Sequence, residues 1–455
     1  MVIVFVLVAL LVLAAVAALH RYVWSRLVRD TTRGPGPARR AGTAVFVAGP
    51  VLMVAALVAE RAGAPFWLQR VLAWPGFLWM ALALYLLLAV IAGEAVRPLL
   101  RRALDREGAR AREDGEPERE PVTTPAARAT EPTDATEPPA TDPPAADAPH
   151  PDAPAAGTPA PAPAQSAPVR SAPASAPRPS APSRRLFVSR VVGGAAAAAA
   201  VGTVGLGTYG VLRGPAVKRV TVPLARLPRA AHGFRIAVVS DIHLGPVLGR
   251  DFTRKVVDTV NATRPDLIAV VGDLVDGSVR DLGPAAAPLA GLEARHGAYF
   301  VTGNHEYFSG AAQWIEEVRR LGLHPLENAR TELPAFDLAG VNDLQGESEG
   351  HGPDFGRALD GRDTSRACVL LAHQPVQIHE AVRHGVDLQL SGHTHGGQLW
   401  PGNLIAKAAN PTVAGLARYG DTELYVTRGA GAWGPPTRVG APSDITVIQL
   451  ASKQT

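Results

Sequence analysis

Five short motifs in the second half of the chain combine residues that could bind divalent metal ions. They are Ser240-Asp241-Ile242-His243, Gly272-Asp273, Gly303-Asn304-His305-Glu306, His373-Gln374-Pro375 and Gly392-His393-Thr394-His395. Two divalent ions about 3.5–4 Å apart require a bridging carboxylate and several neutral imidazoles, and this set contains both. The Asp-x-His and His-x-His spacings let an irregular strand end turn both side chains toward one pocket, with adjacent glycines permitting a tight backbone. The motifs therefore predict a dinuclear metal centre.

Each motif directly follows a short apolar run of the kind that forms a buried strand. Such runs occupy residues 234–239, 266–271, 297–302, 336–341, 367–372, 386–391, 424–427 and 444–450, and helical segments fit at 251–263, 313–321 and 376–383. Strands and helices in this order after Pro215 are typical of an α/β domain. Because open α/β sheets place their sites at the carboxyl ends of strands, we expect five strand ends to meet on one rim.

Composition narrows the classes of function. The chain has 455 residues, 47% of them hydrophobic, and a formal net charge of +4. Its arginines concentrate beside apolar runs in the first half, which indicates a membrane surface and not a nucleic-acid partner. A single cysteine, Cys368, excludes an intrachain disulfide and Cys-rich zinc modules. Any metal must then be held by His, Asp and Asn, which suits Mn, Fe or Zn.

Four apolar stretches have about the length needed to cross a bilayer. They lie at residues 2–18, 43–59, 74–92 and 191–211. Buried helices of a soluble protein would instead alternate apolar with polar faces, and these stretches do not. We therefore expect four membrane spans.

Composition also divides the chain into four parts. Residues 1–112 are predicted to be a membrane region with three transmembrane helices, and residues 113–182, mostly Ala, Pro, Asp, Glu, Thr and Ser, a disordered linker. Residues 183–214 are a fourth transmembrane helix or a twin-arginine-like signal anchor, because Arg184 and Arg185 precede the apolar run. Residues 215–455, which contain all five motifs, are expected to be the catalytic domain.

Arginine distribution predicts the orientation of the spans. The segment 20–40 holds six arginines and the segment 60–73 only two, whereas the flanks after the third span and before the fourth are again basic. Positive charge favours the cytoplasmic side. A multi-pass protein with both ends and the catalytic domain outside the cytoplasm is therefore expected.

The order Asp-x-His, Gly-Asp, Gly-Asn-His-Glu, His, Gly-His-x-His resembles that of the calcineurin-like metallophosphoesterases. The resemblance covers residues 235–450 and none of residues 1–214. It includes a tail, Arg428-Gly429-Ala430-Gly431-Ala432-Trp433-Gly434-Pro435-Pro436, that is similar to the bacterial membrane-associated branch of the family. The fold it implies is a β-sandwich of two mixed sheets flanked by helices.

The resemblance also implies roles for the matching residues. Asp241, His243 and His395 would bind one metal ion, Asn304, His373 and His393 the other, and Asp273 would bridge the two. A metal-bridging hydroxide would attack phosphorus in line. His305 would face the substrate and stabilise the transition state or protonate the leaving oxygen, with Glu306 orienting its ring.

Four further residues have weaker signals. Asp276 could support a ligand histidine or simply belong to a turn beside Gly277. Arg428 and Arg438 could clamp a phosphate, although packing or solvated arginines are more common. Trp433, between glycines, could line the substrate cleft, but we expect it to close the core.

The leading hypothesis is a membrane-anchored phosphomonoesterase or phosphodiesterase at the outer face of a bacterial cell. Its substrate would be phosphorylated, with lipid headgroups, lipid-linked intermediates and wall polymers all within reach of a membrane anchor. The alternative is a metal-binding sensor or scaffold that keeps the fold. An intact His305 favours the enzyme, because a sensor needs no proton donor.

Overall fold

The computed structural model describes residues 2–113 and 183–454. The predicted linker lies outside the described residues, except for Glu113. The chain up to Arg102 and from Ser183 onward forms one compact unit, and residues 103–182 form a second. The described part of that second unit is the end of one helix.

Four long helices precede residues 215–454, the described part of the predicted catalytic domain. They are α1 (Val2–Trp24), α2 (Pro37–Arg61), α3 (Phe66–Glu113) and α4 (Arg184–Leu212). Segments long and apolar enough to cross a membrane occupy Leu10–Arg29, Pro37–Arg61, Phe66–Glu107 and Arg184–Leu212. The expected apolar stretches are thus helical. Pro50 and Pro75 lie inside α2 and α3 without ending either helix.

Within the described residues the catalytic domain contains twelve strands and seven further α-helices. The strands are β1 (Ala216–Leu224), β2 (Arg235–Val239), β3 (Leu267–Val271), β4 (Ala298–Val301), β5 (His324–Pro325), β6 (Ala329–Glu332), β7 (Asp337–Gly340), β8 (Cys368–Leu371), β9 (Leu388–Ser391), β10 (Gly415–Tyr419), β11 (Thr422–Val426) and β12 (Asp444–Ser452). The helices are α5 (Arg250–Ala262), α6 (Val279–Ala286), α7 (Asn304–Ser309), α8 (Ala311–Arg320), α9 (Phe355–Leu359), α10 (Ile378–Arg383) and α11 (Gly402–Ala409).

The strands form two mixed sheets of six strands each. Their orders are β1-β12-β2-β3-β4-β5 and β10-β11-β9-β8-β7-β6. Strands β2 to β5 are parallel, as are β7, β8, β9 and β11, while β12 runs antiparallel to β2 and the edge strands β6 and β10 run antiparallel to their neighbours. The expected fold class is confirmed.

The hydrophobic core has three layers: one between the two sheets and one on the outer face of each sheet. Alternating side chains of the strands contribute to these layers. On β2, Ile236 and Val238 pack between the two sheets, whereas Ala237 and Val239 face α5, α6 and α8. This follows from the two-residue period of a strand. The outer face of the second sheet packs against α9 and α10. Both sheets are therefore buried on both faces, which suits their continuous apolar sequences.

Helix α4 packs directly on the catalytic domain. Thr208 Oγ1 lies 2.7 Å from Thr437 Oγ1, and the backbone N–H of Arg438 donates to the carbonyl of Gly207 over 3.3 Å. Val211, near the end of α4, belongs to the core beneath the first sheet. Helix α3 also takes part, because the Tyr85 hydroxyl donates to the Trp400 carbonyl over 2.9 Å. The helices and the domain therefore share packed surfaces.

Glycine at position 207 is needed for this packing. A Cβ there would lie 2.7 Å from the Arg438 carbonyl oxygen, whereas a Cβ at Gly205 of the same helix meets nothing within 4 Å. We expect Gly207→Ala to destabilise the protein by about 1–3 kcal/mol through overpacking. Gly205→Ala should be neutral or stabilising by up to about 1 kcal/mol, since alanine favours a helix. Thermal unfolding of the full chain in detergent measures both, and equal midpoints would contradict the contact.

Candidate metal centre

The predicted ligand residues follow the carboxyl ends of five strands that lie next to one another in the two sheets. Asp241 and His243 follow β2, Asp273 follows β3 and Asn304 follows β4. His373 follows β8, and His393 and His395 follow β9. Because β2, β3 and β4 are neighbours in the first sheet and β8 and β9 in the second, the two sets meet where the sheets face each other.

Five of these residues have left-handed backbone. The φ angles are 53° at Asp241, 50° at His243, 53° at Asp273, 72° at His393 and 52° at His395. This region is uncommon for residues other than glycine and costs free energy, so the surrounding contacts must impose it. Such conformations take each side chain out of the strand's regular alternation.

Backbone pairing beyond the strands holds these conformations. The N–H of Asp241 donates to Gly272 O over 3.1 Å, and the N–H of His243 donates to Asp273 O over 3.2 Å. The loops after β2 and β3 therefore remain paired after regular strand geometry has ended.

The side chains form two adjoining clusters of carboxylates and imidazoles. In the first, His395 Nε2 lies 3.0 Å from His243 Nε2 and 3.3 Å from Asp241 Oδ1. In the second, formed by Asp273, His373 and His393, His373 Nε2 lies 3.1 Å from Asp273 Oδ2. The clusters meet at Asp273, whose Oδ2 is also 3.8 Å from His243 Nε2.

Asn304 adds an amide oxygen to the second cluster. Its Oδ1 lies 3.0 Å from His393 Nδ1. All seven predicted ligand residues therefore converge on one rim.

The donor set fits divalent cations. His373 Nδ1 is 2.8 Å from the Val271 carbonyl, which can only accept, so that nitrogen carries the proton of the neutral ring. Its buried Nε2 has no hydrogen-bond partner among residues 2–113 and 183–454, and in the neutral tautomer its lone pair faces the Asp273 carboxylate. A proton or a cation must offset this repulsion. Imidazole and carboxylate donors suit Mn, Fe or Zn.

The pKa values of the two buried aspartates also favour cation binding. Burial alone would raise the pKa values of Asp241 and Asp273, but the adjacent histidines lower both. The carboxylates are therefore ionised, which is the form that binds a cation.

Asp276 contacts two of the predicted histidines. Its Oδ1 lies 3.0 Å from His243 Nδ1 and 2.6 Å from His305 Nδ1. Of the alternatives left open for Asp276, support of a ligand histidine matches these contacts, because a proton held on His243 Nδ1 leaves Nε2 free for a metal. Burial lowers the pKa of His305, but the hydrogen bond and charge of Asp276 outweigh it and raise the pKa to about 9. His305 can therefore hold a proton at neutral pH.

The Glu306 carboxylate does not pair with the His305 ring as expected. Its buried carboxylate accepts the backbone N–H groups of Asp273, Leu274 and Gly303 over 2.9, 2.7 and 2.6 Å. The short contact of the His305 ring is with Asp276 instead. Glu306 thus holds the backbone from which the Asp273 carboxylate projects.

The two weakly predicted arginines occupy different environments. Buried Arg438 donates to the carbonyls of Gly431 over 2.6 Å and His395 over 3.0 Å, so it holds the backbone of a predicted ligand. Partly exposed Arg428 has its Nη1 atom 3.8 Å from Asp444 Oδ2. Arg438 is therefore a packing residue.

The expectation that Trp433 closes the core is wrong. Its side chain is 50% exposed, and its ring centroid lies 5.7 Å from that of His305. The flanking loop turns the indole outward beside His305. Trp433 therefore lines the cleft at the site.

The sequence analysis did not predict that the end of helix α2 contributes to the site. Glu60 and Arg61, at the end of α2, line the same cleft as His305 and Asp276. Their only sequence signal is a pair of charges at the end of an apolar stretch, which indicates a helix end. More than 200 residues separate Glu60 from His305, so no local pattern could have connected them.

Comparisons with known proteins give a consistent match. Residues 234–397 match the family model for the calcineurin-like phosphoesterase. The chain is 39% identical over 265 residues to a transmembrane protein with metallophosphoesterase domain from Danio rerio, covering 54% of this chain and 61% of that protein. It is 34% identical over 242 residues to an uncharacterized metallophosphoesterase from Aquifex aeolicus, covering 52% of this chain and 92% of that protein.

A solved structure, of a dimetal phosphatase from Danio rerio, is similar at 13% identity and a TM-score of 0.34. The similarity covers 47% of this chain and 91% of that one.

Gly303 limits the space around Asp273. A Cβ at Gly303 would overlap Asp273 Oδ1 and lie 2.6 Å from its backbone nitrogen, whereas a Cβ at Gly249 meets nothing within 4 Å. We expect Gly303→Ala to displace the carboxylate and weaken metal binding by about tenfold or more, the scale for residues that orient ligands. Calorimetric titration with Mn measures this, with Gly249→Ala as the control. Equal affinities would show that Asp273 does not depend on this contact.

Proposed function

The chain belongs to the calcineurin-like metallophosphoesterase family, and we propose that it is a membrane-anchored hydrolase of phosphoric esters with two divalent metal ions. The observation that carries the proposal is the pair of Asp/His clusters that meet at Asp273. One dinuclear centre needs a shared carboxylate between two donor sets, and this arrangement supplies it.

The proposed ligand sets follow from these contacts. Asp241, His243 and His395 would hold one ion, and Asn304, His373 and His393 the other, with Asp273 between them. When bound, the two ions supply Lewis acidity that neutralises phosphoryl charge and makes water a nucleophile at neutral pH. The buried rim keeps the ligands in place, because Glu306 and Arg438 hold the backbones of Asp273 and His395.

His305 is the proposed proton donor. Its ring lines the cleft and gives one N–H to Asp276, so a second N–H of the protonated ring is available to the leaving oxygen. Positioned general acids of this kind contribute about 10²–10⁴-fold to a rate. The alternative function, a metal-binding sensor or scaffold, would share the clusters but would have no use for this paired, protonated histidine.

The proposed location is a membrane with the catalytic domain outside the cytoplasm. The end of α4 packs on the catalytic domain, and Phe66 at the start of α3 packs against the domain's core. At the start of α4, Arg190 donates to the Thr31 carbonyl over 3.0 Å. The basic segment between α1 and α2 therefore lies near the end of α4 remote from the domain, which supports the arginine-based orientation. The domain boundaries after residues 112, 182 and 214 are predictions from the sequence.

Two substitutions separate metal binding from proton donation. His305→Ala should keep its metal content but lower turnover by about 10²–10⁴-fold. Asp273→Asn should lose both metal and activity, because it removes the shared carboxylate. The full chain loaded with Mn, Fe or Zn would be assayed against phosphomonoesters and phosphodiesters, with metal content measured by mass spectrometry. Metal loss in His305→Ala, or full turnover with retained metal in Asp273→Asn, would contradict the assigned roles.

Protease accessibility tests the orientation. Protease added to intact spheroplasts of bacteria expressing the chain should digest the catalytic domain, because the basic flanks favour the cytoplasmic side and leave the domain outside. A cytoplasmic protein serves as the control for intact membranes, and a periplasmic-facing protein as the control for access. Protection of the domain alongside digestion of the accessible control would reverse the proposed orientation.

A further inference from the structure

A cleft of about 820 Å³ beside the metal centre has two walls of different origin. The catalytic domain contributes one wall, which includes His305 and Trp433. Helices α2 and α3 contribute the other, which includes Leu57, Phe66 and Met80. Groups able to bind and cleave a phosphoester therefore face side chains of helices long and apolar enough to cross a membrane.

The cleft extends far along α3. Phe66 and Met80 both line it, and their separation of 14 residues corresponds to about 21 Å at 1.5 Å per helical residue. Both lie within the apolar segment Phe66–Glu107. A phosphate group with a small polar substituent would fill only part of this length.

The cleft also reaches the outer surface of α2. Leu57 lines it and is 40% exposed, one turn before the helix ends at Arg61. The next residue, Val58, is 57% exposed and is not among the lining residues. On a helix that crosses a bilayer, exposed Leu and Val side chains meet lipid. The cleft therefore extends to α2 directly beside Val58, a side chain that faces lipid when this helix crosses a bilayer.

Apolar surface continues to the reacting groups. Phe308 and Trp433 both line the cleft, with ring centroids 5.5 and 5.7 Å from that of His305. Phe308 is 63% exposed, and large exposed aromatic patches mark binding surfaces. The lining also includes four charged side chains, Glu60, Arg61, Arg280 and Asp281. Glu60 lines a small adjoining pocket together with His243 and Asp276, so at least one of these charges lies beside the Asp/His clusters. A cleft with both charged and apolar lining matches a molecule with a charged head and an apolar tail.

We propose that the substrate is an amphipathic phosphoester of the membrane, with its phosphate at the Asp/His clusters and its hydrocarbon chain along α2 and α3. The inference rests on the proposed hydrolase function and names its substrate class. Hydrolysis consumes one water: its oxygen bonds to phosphorus, the ester P–O bond breaks, and a proton passes to the leaving oxygen. The apolar product then remains in the membrane, while a soluble product leaves through the polar end.

The test compares chain lengths with matched variants. The full chain, in lipid nanodiscs with Mn, would be assayed with ethyl and dodecyl phosphate and with ethyl and dodecyl 4-nitrophenyl phosphate. We expect kcat/KM to be higher for the dodecyl member of each hydrolysed pair by about tenfold or more, because burial of each methylene favours binding about fourfold. Partition into the nanodisc also favours a long chain, so the variants decide between the two causes.

Leu57→Trp narrows the cleft, and Val58→Trp places the same side chain on the lipid-facing surface next to it. Leu57→Trp should lower the dodecyl-to-ethyl ratio by about tenfold, the loss expected when a few methylenes leave an apolar site. Metal content should stay unchanged, and Val58→Trp, outside the cleft, should keep both the parent ratio and the parent turnover of the ethyl esters. Met80→Trp, in the α3 wall, provides a second blocking variant with the same expected loss.

The outcomes separate the two proposals. Equal ratios in the Leu57, Met80 and Val58 variants, with soluble esters still hydrolysed, would overturn the lipid substrate and leave the hydrolase in place. No hydrolysis of any ester by the metal-loaded protein would overturn the proposed function, and the lipid substrate with it.

Discussion

Asp241 and Asp273 lie side by side at the junction of the two sheets, each buried and each facing imidazoles. Buried charges are costly unless they are paired, so the surrounding backbone must hold both carboxylates firmly. Left-handed φ angles at both residues bring their side chains to this junction. Much of the nearby chain serves to maintain that conformation.

Glycines provide the close approach that this conformation requires. Gly429 has a φ of 81°, and a Cβ there would lie 2.5 Å from the Asp241 Cβ. The N–H of Ala430 donates to Ser240 O, and that of Gly431 donates to Asp241 O, both over 2.8 Å. The tail motif that resembles the membrane-associated branch therefore has a structural role: it packs against the loop that holds Asp241, a predicted metal ligand. Glu306 provides the corresponding support for Asp273 through three backbone amides.

Sequence patterns predicted the central strands and the ligand motifs because both are local. Strands β2, β3, β4, β8 and β9 are short apolar runs, and a metal-type side chain follows the end of each within three residues. Strand β1 was missed because Lys218 and Arg219 interrupt its apolar pattern, which is tolerated at an edge paired only with β12. Strand β5 has two residues, too few for any periodicity.

Contacts between distant segments account for the other differences. Glu306 follows His305 directly, which suggested that one orients the other, yet in helix α7 neighbouring side chains point in different directions. The Glu306 carboxylate turns to the backbone after β3, and Asp276 reaches His305 instead. Trp433 could not be assigned from its glycine neighbours, because its exposure depends on a cleft whose other wall comes from α2 and α3.

The connection between α4 and the domain limits how the domain can move relative to the helices. Helix α4 ends at Leu212 and β1 begins at Ala216, so only residues 213–215 separate them. Contacts at Gly207, Thr208 and Val211 then attach the helix to the domain on the same side as this short connection. A flexible tether would let a site meet substrates at any distance its length allowed. Here the contacts of α3 and α4 keep the mouth of the cleft beside α2, so the surface of the helices determines which molecules can enter it.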